Sequence, residues 1–307
     1  MIRSALFIAL VACGGRTELD GRTSEGAPDA AAPSDVSIEH PRTCDPNAPF
    51  TSISPLPFNT DRDEYDVRLT PDELTLYFVQ QRVDQSLGYE SDVFSARRSS
   101  ITSPFSSPVL LPGLADPNSS AEVPNPTADN LDLVFEGACS DIFVHHARLC
   151  GAHRTTPDGL FQEISMITVE PTLDTYGGSA YTIHDGSRLY FVEEPLDTFA
   201  RADRIDATTY GGLEKLTLQG VSGIAYAPVV SEDETELFFD IYSGGDSDSI
   251  FVATSDGSPA FSNVHVVAGL PPNSYPNWIS PDGCRLYFTH REPTDAWFEE
   301  DVFVAER

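Results

Sequence analysis

A chain of 307 residues with 48 acidic against 18 basic side chains carries a formal charge of −30. That field repels a phosphate backbone and excludes nucleic acid as a partner, while leaving room for cations, basic partners or plain solubility. The 24 prolines and 21 glycines, with no apolar stripe at helical spacing, exclude a helical bundle and suit a chain of many turns.

Residues 1–12 read as an export leader. Arg3 supplies the positive start, and Ala5 to Val11 is an apolar run too short to span a bilayer. The run ends in Leu10-Val11-Ala12-Cys13, which resembles the lipobox of bacterial lipoprotein precursors. The resemblance implies cleavage before Cys13 and lipid attached to that residue; Gly14 in the following position implies the outer membrane. The alternative is an ordinary secretory leader with a chance cysteine. Residues 13–43 are rich in Gly, Ala, Pro, Ser, Asp and Glu, as in Ala27-Pro28-Asp29-Ala30. Such a stretch cannot offset the entropy of its own ordering, so a flexible tether is expected, with a reach of roughly 30 Å. The folded domain is expected over 44–307. If Cys13 carries lipid, Cys44, Cys139, Cys150 and Cys284 remain, with three possible pairings in an exported chain. The favoured set is Cys139–Cys150, bracing one hairpin, and Cys44–Cys284, tying the first ordered residues to the end of the chain.

Within that domain a turn Asp recurs, followed four residues later by an apolar triplet that ends in Phe. The five copies start at Asp72, Asp129, Asp185, Asp233 and Asp282, spaced by 57, 56, 48 and 49 residues. A repeat at this period is one supersecondary unit stacked several times. The last copy is the clearest. A strand over Tyr275 to Ile279 meets the turn Ser280-Pro281-Asp282-Gly283, where Pro presets φ and Gly tolerates positive φ. Arg285 to Thr289 forms a second strand and Asp301 to Ala305 a third. The third strand is expected at 92–96, 141–145, 197–201 and 250–253 in the other copies. Outer strands are expected near 109–111, 164–168, 214–218 and 265–267. Four short strands per unit predict an all-β propeller of five blades, with six as the alternative count. The chain stops before an outer strand for the last blade, and the strand candidate at 50–54 has no blade of its own. Ring closure by this N-terminal strand hides both edges.

The motifs Ser280-Pro281-Asp282-Gly283, Leu286-Tyr287-Phe288 and Asp301-Val302-Phe303-Val304 resemble the propeller repeats of TolB-type proteins, over roughly residues 50–307. The resemblance implies the fold. It departs from that family in showing five repeats where TolB has six, and in lacking TolB's N-terminal domain.

Loops entering the axial strands are the natural binding face of such a ring. The candidate residues there are Asp66, Glu122, Asn125, Tyr176, Tyr226, Tyr275 and Trp278, with packing as the competing role of Trp278. The same residue types also serve ordinary turns. Asp63, Glu64, Asp66, Glu122 and Asp174 are candidates to approach the axis, where a glycosidase or lyase would need a carboxyl pair. His145, His146, Cys150 and His153 form the densest group of metal-type ligands, although neighbouring strand residues face opposite ways. No cofactor is expected; calcium is a possible exception at Asp246 and Asp248, beside Gly244-Gly245. The expected function is non-catalytic binding of an envelope protein or glycan by a monomer that meets the membrane only through its lipid. The alternative is a glycoside hydrolase or lyase.

Overall fold

The computed structural model describes residues 43–82, 91–111, 113–114, 120–137, 139, 148–171, 179–193, 198–242, 249–293 and 298–307. Strand β1 (Ser52–Pro55) precedes blade I, which is β2 (Glu64–Leu69), β3 (Thr75–Gln81), β4 (Ser91–Arg97) and β5 (Val109–Leu110). Blade II is β6 (Ala121–Pro126), β7 (Asp132–Gly137), β8 (Arg148–His153) and β9 (Gln162–Met166). The short β10 (Thr168–Val169) leads into blade III, built from β11 (Tyr181–Thr182), β12 (Arg188–Glu193), β13 (Thr198–Arg204) and β14 (Thr209–Lys215). Another short strand, β15 (Thr217–Leu218), leads into blade IV, with β16 (Ile224–Val230), β17 (Glu236–Tyr242), β18 (Ile250–Thr254) and β19 (Ala260–Val266). Blade V is β20 (Ser274–Ile279), β21 (Arg285–Pro293) and β22 (Phe298–Glu306).

The five sheets, antiparallel except where β10 and β15 join, stand around a common axis as a β-propeller. Blade V takes β1 as its fourth strand, with Ser52 opposite Glu306 and Pro55 opposite Phe303. The expected ring closure is therefore present. A disulfide between Cys44 and Cys284 fastens the same seam, and Cys139–Cys150 braces the β7–β8 hairpin. Two details differ from expectation. Blades III and IV have five strands, because β10 and β15 add in parallel to β14 and β19. The third strand of blade II is β8, with Cys150 opposite Phe135; the segment expected there, 141–145, lies outside the described residues. Its apolar run Ile142-Phe143-Val144 passes for a strand, but the register with β7 is taken by residues seven positions later.

The apolar triplets are the core. Leu76-Tyr77-Phe78, Leu189-Tyr190-Phe191, Leu237-Phe238-Phe239 and Leu286-Tyr287-Phe288 are buried from solvent. Each such side chain contributes roughly 1.5–3 kcal/mol by leaving water. The turn Asp explains why the triplet follows at a fixed distance. Its Oδ1 accepts the backbone N–H two residues on, from Leu74, Leu131, Ser187, Thr235 and Cys284. In four blades a hydroxyl two residues before it (Thr70, Thr127, Ser231 or Ser280) donates to the same oxygen. The hydroxyl also accepts the first N–H of the second strand. Blade III has Ile183 there and keeps only the Asp contact.

The residue after each turn Asp is left-handed: Glu73, Asn130, Gly186, Glu234 and Gly283 have φ of 58°, 59°, 72°, 55° and 72°. Glycine is the economical choice, so three polar residues there need a reason. The preceding blade supplies it. Tyr77 donates to Asn130, Tyr190 to Glu234 and Tyr287 to Glu73, each from the middle of an apolar triplet. Where the triplet carries Val134 or Phe238 instead, the next blade has Gly186 or Gly283. Arginines complete the clasp. Arg98, Arg154 and Arg307, each just past a third strand, donate to the turn carbonyls of Glu73, Asn130 and Gly283 at 2.7, 2.8 and 2.7 Å. Arg154 also reaches Tyr77, and Arg307 reaches Glu236, on the blade before.

Glu234→Gly removes the backbone cost of a left-handed Glu and also its contacts to Tyr190, Arg188 and Arg201. It is expected to destabilise the wild-type protein by about 1 kcal/mol and to become neutral or stabilising in the Tyr190→Phe, Arg188→Ala, Arg201→Ala background. Denaturant unfolding of the four proteins measures this change.

Candidate functional site

Each blade's first strand lines the axis, and four of the five carry a β-bulge at one register. The shift lies between Tyr65 and Arg68, Glu122 and Asn125, Tyr226 and Val229, and Pro276 and Trp278. The residue six before the turn Asp is left-handed in four blades, at Asp66 (φ 52°), Val123 (φ 51°), Ser179 (φ 57°) and Ala227 (φ 49°). Blade V has Pro276, whose ring forbids that conformation. A bulge frees backbone groups from the ladder, and bulges re-aim side chains at functional sites. Here neighbouring blades satisfy the freed groups. Val123 N–H donates to Asp66 Oδ2 at 3.3 Å, Ala180 N–H to Glu136 Oε1 at 2.8 Å and Thr182 N–H to Asn125 Oδ1 at 3.3 Å.

One residue earlier, at the same height, stand Tyr65, Glu122, Tyr226 and Tyr275, opposite Val79, Glu136, Asp240 and Thr289. All three tyrosines are half-buried. Glu122 Oε1 accepts from Ser91 Oγ at 3.1 Å and from Tyr65 at 3.4 Å. Tyr275 donates to Glu300 Oε2 at 3.1 Å, Arg291 holds the other oxygen at 2.6 Å, and its guanidinium lies 4.9 Å over the Tyr275 ring. Deeper along the axis, Arg68, Asn125, Tyr181, Val229 and Trp278 are all buried and form a floor. Arg68 contacts Asn125 Oδ1 at 3.3 Å and lies 5.5 Å over Tyr181. Trp278 packs on Tyr287 and on His184, whose Nδ1 meets Glu232 at 2.5 Å. Trp278 thus has the packing role, and Asn125 binds backbone on both sides of its amide.

Asp66 is the electrostatic centre. Burial raises its carboxyl from 3.8 to about 7, Arg68 opposes, and Glu122, Glu136 and Glu300 add to the rise. Burial also pushes Tyr65 and Tyr275 above the ordinary phenol range, with carboxylates acting in the same direction. Glu64 is spent on local structure, accepting from Thr60 N–H, Thr60 Oγ1 and Gln80 at 2.8, 2.6 and 2.6 Å. Asp63 accepts the Glu300 N–H at 3.2 Å. Glu136, Glu300 and Arg68 escaped the sequence reading. A signal for Glu136 existed: it follows its triplet directly, as Asp240 and Thr289 follow theirs. Cys13, His145, His146, Asp174, Tyr176, Asp246 and Asp248 lie outside the described residues. Cys150 is oxidised and His153 pairs with Asp132 at 2.7 Å, so neither is a free ligand. Among the described residues no three acidic, His or Cys side chains converge as a metal site.

No family model and no curated protein matches the chain. Solved structures do. A β-xylosidase superposes with a TM-score of 0.52 at 14% identity, covering 83% of this chain and 94% of its own. An exo-β-1,3-galactanase from Clostridium thermocellum gives 0.51 at 12%, covering 82% and 62%. TolB from Acinetobacter baumannii gives 0.47 at 12%, covering 80% of this chain, which spans only 55% of that protein. At these identities the likeness is one of fold.

Because the folded carboxyl of Asp66 titrates near 7 against 3.8 in the unfolded chain, the native state binds the extra proton between these values. Its contribution is most favourable below about pH 4 and is lost as pH rises through 7. Asp66→Asn is therefore expected to raise the melting temperature at pH 8 and to give little gain at pH 4, measured by thermal unfolding across that range.

Proposed function

We propose that this protein is a non-catalytic binding module of the cell envelope, taking a protein or polymer partner at the axial mouth. The observation that carries the reading is the collar of Tyr65, Tyr226 and Tyr275, held at one height with Glu122 above a filled floor. Half-buried tyrosines offer large, stiff, amphipathic contact area at small entropic cost. The axial carboxylates are engaged with backbone N–H groups, tyrosines or arginine, which suits recognition better than proton transfer. A glycan array and cross-linking to isolated envelope proteins test the reading. Tyr226→Ala is expected to weaken whichever interaction is found by about tenfold or more, without lowering the melting temperature by more than a few degrees. Absence of binding in both assays overturns it.

A second reading, glycoside hydrolysis, is favoured by one observation. Asp66, raised to about 7 among Glu122, Glu136 and Glu300, has the proton affinity of a general acid. The β-xylosidase and galactanase share the fold, although not the identity to carry their activities over. Turnover of aryl glycosides that Asp66→Asn abolishes would establish this alternative.

The address belongs to the same proposal. Two disulfides suit an oxidising compartment, and the apolar run ending at Cys13 suits export and lipidation. Among the described residues no helix is long and apolar enough to cross a membrane. Cells fed an alkyne fatty acid are expected to label the wild-type protein and not Cys13→Ser; equal labelling of the two excludes the anchor.

A further inference from the structure

The outer strands share a pattern that the axial site does not use. An aromatic residue is followed six positions later by an aliphatic one: Phe105 and Leu111, Phe161 and Ile167, Tyr210 and Leu216, Phe261 and Val267, and, in the closing strand, Phe50 and Leu56. The segment just after each aliphatic residue runs on to cover the aromatic of the next blade. In blade III, Thr168 N–H and Glu170 N–H donate to the carbonyls of Thr208 and Tyr210 at 2.8 and 2.7 Å. Blade IV repeats this through Thr217 to Pro259 and Gln219 to Phe261, both at 2.9 Å. In blades II and V a glycine makes the contact; a Cβ on Gly113 or Gly269 would strike the carbonyl of Phe161 or Phe50. Four of the five aromatics are consequently buried.

Blade I breaks the pattern. The segment that should cover Phe105 begins with Pro57, which has no N–H to give where Thr168 and Thr217 donate, and Phe58 follows it where Gly113 follows Pro112 ahead of blade II. Its next donor, the Asn59 N–H, turns back to Leu56 at 3.3 Å, and the Asn59 side chain is pinned to the backbone of Val302 on blade V. Phe58 of the linker meets Phe105 edge-on with ring centroids 6.4 Å apart, Arg98 lies 4.5 Å over the Phe105 ring, and a cavity of about 350 Å³ opens beside them. Phe58, Phe78, Phe94 and Phe105 form its apolar wall, with Thr60 and Ser107 at the rim. Phe105 alone among the five aromatics keeps partial exposure. Strand β5 continues from this slot as the shortest outer strand of the ring, with Val109 and Leu110 63% and 38% exposed.

We infer that this slot on blade I receives an extended apolar peptide segment from a partner protein, laid along the outer strand as β10 and β15 lie in blades III and IV. The occupant's chemistry follows from the other blades: an extended backbone offering N–H donors two residues apart, with an aliphatic side chain between them. Unpaired strand edges take such segments by main-chain hydrogen bonds, and a pocket beside the edge selects the side chain. This surface is separate from the axial mouth, and its occupancy is independent of what binds there.

A labelled peptide with the sequence of residues 216–221 of this chain, Leu-Thr-Leu-Gln-Gly-Val, is the probe. Fluorescence anisotropy is expected to show saturable binding that a scrambled peptide lacks, and amide exchange to show new protection over residues 105–110. Ser107→Trp, an exposed position at the rim, is expected to weaken binding by about tenfold or more. Pro57→Thr restores the missing donor; it should let the linker cover Phe105 itself, raising the melting temperature and again weakening the peptide. No saturable binding by the well-folded wild-type protein overturns the inference. So does binding that neither substitution alters, or a small apolar dye that enters the slot while the peptide does not.

Discussion

The ring depends on a left-handed residue at the end of every axial strand and on how its surroundings are matched across the blade boundary. A turn Asp and, in four blades, a hydroxyl pin the backbone of the turn, and the residue after the Asp is left-handed in all five. Where the preceding blade points a tyrosine at that residue, a polar side chain is retained despite the backbone cost; where it points Val134 or Phe238, glycine returns. Local turn chemistry and blade-to-blade packing are thus one constraint. Arginines just beyond the third strands reinforce it by binding the same turn carbonyls.

The residues that announced the fold are those whose role is set within a few positions. Turn Asp, triplet and closing strand carry periodic signals, and cysteine parity narrowed the disulfides. What stayed hidden depends on register between blades. Nothing near Arg148–His153 marks it as a strand, since Gly151 and Arg148 sit among its apolar residues, whereas 141–145 carries the run Ile142-Phe143-Val144. The pairing of Tyr77, Tyr190 and Tyr287 with Asn130, Glu234 and Glu73 was present in the letters, but it reads across 53, 44 and 214 residues. The parallel strands β10 and β15 are two residues long, too short for periodicity to register.

The axis shows how structural need and chemical opportunity share the same groups. Bulges turn the axial strands inward and release N–H groups, and acidic or amide side chains from adjacent blades take them up. That arrangement gathers Asp66, Glu122, Glu136 and Glu300 near the tyrosine collar. Carboxylates recruited to satisfy backbone also create the negative field there. The candidate residues from the first strands were legible because each lies at a fixed distance from a turn Asp. Glu136 and Glu300 come from second and third strands, where their inward placement follows from pairing partners that only the folded ring supplies.

The seam of the ring has a mechanical consequence. Cys44 lies eight residues ahead of β1, and its disulfide joins it to the turn of blade V. Tension drawn from the amino-terminal side enters the domain at that covalent link, beside the Thr43 N–H contact to Asp282, and spreads into the turn. The four-residue ladder between β1 and β22 is bypassed, so a pull from that side does not unzip the last blade.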